Sequence, residues 1–366
     1  MLFVLVLIGC GANAPQPAAD PAPPTVPDEQ PAPPSVATTA SQPDAGPGRA
    51  PMLEPFSRVR LHGMCEPSAA ILGERGLWFA EDDGLDYLLT APATPEATSA
   101  VQRVALTHLG APLKLDDLEG AARQGDEVWW TTSISRSREG RTLMAWSEGL
   151  SGETAGLVNL ISWRDPGAFE GLVRARAPEC DLPDDLHERR PKRGGLDIEG
   201  LALSGDAMYL GLRGPVSVGG QRAVVVQVDR AAAKAGASVD TLITGAWCID
   251  LAGQGIRSLT ADPRVEGGFL GIAGDVASGG DFWLFSWVPG QEPLRVGQIP
   301  TEPDTSPEAL VVWMEGERLV GRIGFDEGTR TERETGCPCD QVLAGQCEGH
   351  APESAFARLG LFQLPE

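Results

Sequence analysis

The chain has 366 residues, 22% charged and 42% hydrophobic, a globular balance with room for one large domain or two ordinary ones. Its formal net charge of −22 excludes a nucleic-acid partner, because such a surface releases no counterions from a phosphate backbone. The same charge keeps a protein soluble and also draws cations, calcium especially.

The N-terminus reads MLFVLVLIGC, with an apolar run from Leu2 to Ile8. So short a run suits a signal-peptide core rather than a membrane span, which takes about 20 residues. Its last residues, Leu7-Ile8-Gly9-Cys10, resemble the lipobox of bacterial lipoproteins, in which the matching cysteine is lipidated. The resemblance implies a membrane anchor at Cys10. With Gly11 rather than aspartate next, it implies an outer-membrane lipoprotein facing the periplasm or the cell surface. No Lys or Arg precedes the run, so the natural start is expected upstream. Residues 11–51 are rich in Pro and Ala without apolar periodicity and read as a disordered tether, extended by about 3 Å per residue. The folded domain is expected over 52–366.

Within that domain one pattern recurs. CEPSAAILGERGLWFAED (65–82), DDLEGAARQGDEVWWTT (116–132), GLDIEGLALSGDAMYLGL (195–212), GIRSLTADPRVEGGFLGIAG (255–274) and SPEALVVWMEGERLVGRI (306–323) each read as a small-residue strand, a polar turn and a bulkier strand. Further short strands are expected at 100–107, 222–229, 282–288 and 294–299, with a helical turn or two at 229–236. Repeats of this period predict an all-β fold, a β-propeller. Five blades are expected, with a sixth as the alternative in the longer gap, where 148–193 reads instead as a polar insertion. FSRVRLH (56–62) and ARLGLFQL (357–364) are expected to pair in one blade and close the ring. The tryptophans of WFA (78–80) and EVWW (127–130) belong to cores between blades.

Beyond Cys10 there are six cysteines: Cys65, Cys180, Cys248, Cys337, Cys339 and Cys347. An even number in an exported chain points to disulfides, with the pairing open. The alternative is zinc in the Cys-rich loop 336–350, although C-x-C-x7-C lacks paired C-x-x-C spacing.

The set CEPSAA, DLEGAA, IEGLAL…YLGLRGPV, GIAGD…GGDFWLFSW and PEAL resembles a bacterial family known only as a domain of unknown function. It is similar in pattern to the esterase-like-phytase and SdiA-regulated propellers, which carry a comparable acidic E-G motif. The resemblance implies the propeller fold and leaves the activity open.

If the motif opens each innermost strand, Ser68, Glu119, Glu199, Arg257 and Glu308 face the central channel. Three converging glutamates repel and call for a cation or raised pKa values, so Glu119, Glu199 and Glu308 are the expected calcium ligands. The following loops bring Asp82, Asp83, Arg136, Arg213, Asp275 and Asp326 to the same mouth. The structural alternative is that the glutamates and Arg213 tie neighbouring blades together, while Asp82, Asp83 and Asp326 form turns. No histidine pairs with a nucleophile, and no phosphate-binding loop is present. Three functions stay open. One is a lipid-anchored module binding a small polar ligand or an envelope protein. Another is a calcium-dependent hydrolase of phosphate or other esters. The third is a purely structural envelope component.

Overall fold

The computed structural model describes residues 51–364 apart from 75, 83–86, 96–97, 109–116, 134–141, 149–153, 163–165, 185, 187–188 and 278. Cys10, residues 11–50 of the expected tether, Asp83 and Arg136 lie outside the described residues.

The strands run β1 (Phe56–His62), β2 (Pro67–Gly73), β3 (Gly76–Glu81), β4 (Tyr87–Ala91), β5 (Thr98–Ala100), β6 (Gln102–His108), β7 (Leu118–Gln124), β8 (Glu127–Thr132), β9 (Thr142–Glu148) and β10 (Thr154–Ser162). They continue with β11 (Asp197–Ser204), β12 (Ala207–Gly214), β13 (Arg222–Asp229), β14 (Ile243–Asp250), β15 (Gly255–Ala261), β16 (Phe269–Gly274), β17 (Phe282–Trp287), β18 (Leu294–Ile299), β19 (Ser306–Glu315), β20 (Arg318–Asp326) and β21 (Phe356–Leu364). All five repeated stretches form the hairpins read from the sequence: β2–β3, β7–β8, β11–β12, β15–β16 and β19–β20.

The arrangement is an all-β propeller, but the strands form four sheets rather than the five expected. Their orders are β19-β20-β21-β1-β5, β2-β3-β4-β6-β10-β9-β8-β7, β11-β12-β13-β14 and β15-β16-β17-β18. The difference arises at β6 and β10, which pair in parallel from Ala105–Thr154 to His108–Leu157 and join the first two hairpin units into one eight-stranded sheet. Two outer strands that would otherwise expose unpaired amides satisfy each other. β1 pairs antiparallel with β21 over its whole length, from Phe56–Phe362 to His62–Phe356. The inner strands touch in succession: β2 with β7, β7 with β11, β11 with β15, β15 with β19, and β19 with β2.

The core fills the space between successive units. Trp129 packs with Ile198 and Leu210, and Trp78 shares a cluster with Trp130. Tyr209 lies against Phe269, ring centroids 4.5 Å apart. These fully buried indoles and rings explain why the second strand of each hairpin carries the bulky residues.

The expected insertion at 148–193 begins later than read, because β10 occupies its first part. Beyond β10 lie α1 (Pro166–Arg176) and short 3-10 turns, with no additional four-stranded unit among the described residues. The helical turn at 229–236 is α2 (Arg230–Lys234), capped by Asp229, whose Oδ1 accepts the Ala232 N–H at 2.9 Å. Later in the chain come α3 (Val239–Leu242), α4 (Gly328–Thr335) and α5 (Cys339–Leu343). Disulfides join Cys65–Cys339, Cys180–Cys248 and Cys337–Cys347, which uses every cysteine of the zinc alternative. No described helix is long and apolar enough to cross a membrane.

Candidate functional site

The five inner hairpins share one backbone device. Their ladders shift register between Pro67 and Ala69, Leu118 and Gly120, Ile198 and Gly200, Ile256 and Ser258, and Pro307 and Ala309. The residues left out of pairing are Ser68, Glu119, Glu199, Arg257 and Glu308, the set aligned from the sequence. An extra residue in a bulge is unpaired and its side chain is re-aimed, so the repeat sets one side chain per hairpin apart from the ladder.

The glycine of the E-G motif has a separate task. A Cβ on Gly120 would lie 2.9 Å from Leu201 Cβ, and one on Gly200 would lie 2.9 Å from Leu259 Cβ, each on the next inner strand. Glycine lets adjacent hairpins approach this closely. Where glycine is replaced, the residue is small. Ser258 Oγ accepts the Leu310 N–H of the next strand at 3.1 Å. Ser68 Oγ donates to Leu118 O, so Ser68 links strands and does not line the cavity.

The inner residues open onto a cavity of about 1290 Å³. Of the five, Glu119, Arg257 and Glu308 line it and Glu199 does not; Arg213 of β12, Asp326 at the end of β20 and Asp82 just after β3 join the lining. Asp275 is exposed and stays out of the lining. Its neighbour Gly280 lines the wall instead, because the loop turns at Gly279 and Gly280 with φ of 84° at both.

Two arginines divide the glutamates. Arg213 Nη1 donates to Glu199 Oε1 at 2.6 Å and lies 3.7 Å from Asp197 Oδ2. Arg257 Nη1 lies 3.4 Å from Glu199 Oε2, and its Nη2 donates to Glu308 Oε1. Arg213 also donates from Nε to Val276 O at 2.9 Å and from Nη2 to Ala277 O, pinning the next unit's loop. Glu199 and Glu308 therefore serve to fix neighbouring units through arginines, not backbone amides. Glu119 has no such partner: among the described residues its Oε2 meets no hydrogen-bond donor, although the residue is 8% exposed. One oxygen each of Asp82, Asp117 and Glu119 lies within 4.8 Å of the other two.

Burial, then the Asp117 and Glu199 charges, push the Glu119 carboxyl well above its ordinary range. Burial and Glu199 do the same to Asp197. Burial lifts Glu308 to about 8 despite its pairing with Arg257, and burial raises Asp326. Burial disfavours the charged guanidiniums of Arg213 and Arg257, yet Glu199 between them holds both more firmly protonated than usual.

Two features went unread in the sequence. Asp117 joins the site from the position before β7, with φ of 87°, a costly conformation for a non-glycine residue. Its Oδ2 accepts from Ser133 Oγ at 2.7 Å. The signal was the doublet itself, since DLEG and DIEG both place an aspartate two residues before the bulged glutamate. Arg190, Lys192 and Arg193, all exposed, line the cavity from the insertion's end. A 3-10 turn over Pro191–Arg193 sets them there, closed by Gly194 with φ of 80°.

No curated protein matches the chain. Among solved structures, an exo-beta-1,3-galactanase from Phanerochaete chrysosporium is 11% identical, with 87% of this chain and 63% of that one covered and a TM-score of 0.39. The chain thus spans 63% of that enzyme's length. A GH43_1 enzyme from Xanthomonas citri is 11% identical over 83% of this chain and 88% of that one, with a TM-score of 0.41. Raptor from Chaetomium thermophilum is 12% identical over 73% and 20%, with a TM-score of 0.32. Residues 188–287, from the end of the insertion through β17, match the model of DUF3616, a family described as protein of unknown function.

Proposed function

We propose that the protein is an exported propeller, lipid-anchored through Cys10 at the outer membrane, that binds a small anionic ligand at the mouth of its central channel. In this reading the five inner hairpins surround one channel. The eight-stranded sheet contributes two of them, and the β1–β21 pairing holds the ring shut. The carrying observation is the cavity of about 1290 Å³ lined by carboxylates together with the exposed Arg190, Lys192 and Arg193. A polar cleft of opposed charge suits an oriented, charged small molecule. On a chain of net charge −22, three exposed basic residues gathered at one opening favour an anion there.

The test is calorimetry of the full chain against phosphate-, sulfate- and carboxylate-bearing sugars and their neutral parents. Binding confined to the anionic members, weakened by salt and by Lys192→Ala with Arg193→Ala, is expected. Equal binding of the neutral parents would remove the charge argument. A second reading, calcium-dependent ester hydrolysis, is favoured by the Asp82, Asp117 and Glu119 carboxylates beside this cavity. It predicts product release from phosphoesters with calcium and none with chelator. A purely structural envelope role predicts neither uptake nor turnover.

A further inference from the structure

Glu119 is buried, lines the cavity, and keeps Oε2 without a hydrogen-bond donor among the described residues. A carboxylate in that condition is costly unless something outside the chain completes it. Arg213 and Arg257 make their close contacts with Glu199 and Glu308, so neither forms an ion pair with Glu119. Asp197 and Asp326 put two further carboxyl groups on the same walls. The oxygens of Asp82, Asp117 and Glu119 lie within 4.8 Å of one another. Oxygens on opposite sides of a calcium ion, each at about 2.4 Å, stand about 4.8 Å apart, so the trio fits around one ion.

We infer that Asp82, Asp117 and Glu119 hold a divalent cation of the calcium type, with its remaining positions open to the cavity. The donor set is all oxygen, as a hard cation prefers, and no histidine or cysteine lines the cavity among the described residues. The site differs from the expected trio of Glu119, Glu199 and Glu308, since two of those three are neutralised by arginine. It deepens the ligand-site reading and rests on it only for purpose: a cation held by these carboxylates shares the cavity with Arg190, Lys192 and Arg193, so an anionic ligand there meets two sources of positive charge.

The experiment is calorimetric titration of the chelator-stripped full chain with calcium chloride at pH 5.5 and 7.5. One saturable site is expected, tighter at pH 7.5 because carboxylates bind calcium in their deprotonated form. Glu119→Gln and Asp82→Asn should each weaken it by more than about tenfold, and Asp206→Asn on an exposed turn should not. Asp82 is less buried, so its variant keeps the test open if Glu119→Gln misfolds. Absence of saturable calcium binding, or binding unchanged in both variants, overturns the site. Calcium uptake without any anion uptake overturns the ligand reading and supports the cation. Anion uptake by a chain that takes no calcium does the reverse.

Discussion

Glu119 and Glu199 stand at the same place in two hairpins, each the bulged residue before a glycine and two residues after an aspartate, and both are buried. Glu199 meets Arg213 at 2.6 Å and Arg257 at 3.4 Å, whereas Glu119 meets no cation among the described residues. The local motif therefore decides where a carboxylate points. Residues from other units decide whether it is held as an ion, as an acid, or as a ligand waiting for a metal.

The largest effect expected is from removing the cation on the neutralised side. Arg257→Met leaves Glu308 without its arginine and Glu199 with Arg213 alone, and should cost about 3–5 kcal/mol in denaturant unfolding at pH 7.5. A loss under about 1 kcal/mol would mean that the two carboxylates are less different than their contacts imply. The scaffold should treat both sides alike. Gly120→Ala and Gly200→Ala should each cost about 1–3 kcal/mol, because each new methyl meets the next strand. Very unequal losses would break the equivalence of the two hairpins.

Proton linkage gives a smaller effect on the open side. A carboxyl whose folded pKa is raised holds its proton while the unfolded chain releases it, so stability falls as pH rises between the two values. With Glu119 and Asp197 raised and Glu308 at about 8, the unfolding midpoint in chelator should fall from pH 5 to pH 8. Glu119→Gln should flatten that slope and raise stability at pH 8. A steeper slope in the variant would contradict the protonated state. Last, Arg333→Ala removes an exposed pairing with Asp304 and should change stability by less than about 1 kcal/mol, which sets the scale for the buried pairs.

Much of the architecture was legible because small residues, turns and aromatics repeat with a period. That repetition located all five bulged positions and the β1–β21 pair. The merging of the first two units was not legible, since β6 and β10 lie far apart in sequence and pair only because both are outer edges. The identity of the unneutralised acid was hidden for a related reason. Arg213 and Arg257 are each visible, but which glutamate they reach depends on how adjacent units pack. Asp117 and Asp197 stood in plain view in DLEG and DIEG, and only their burial revealed that they belong to the cavity.

The Cys65–Cys339 bond spans 274 residues and lies just beyond the strand that pairs with the C-terminal one. A pull entering from the N-terminal side first loads β1 against β21, and then reaches a covalent bond that bypasses almost every blade. Tension that peels β1 away would therefore stop at Cys65, leaving the inner hairpins and their carboxylates unloaded. Under reducing conditions the same force would pass into β2, so the channel's tolerance of mechanical stress becomes a function of redox state.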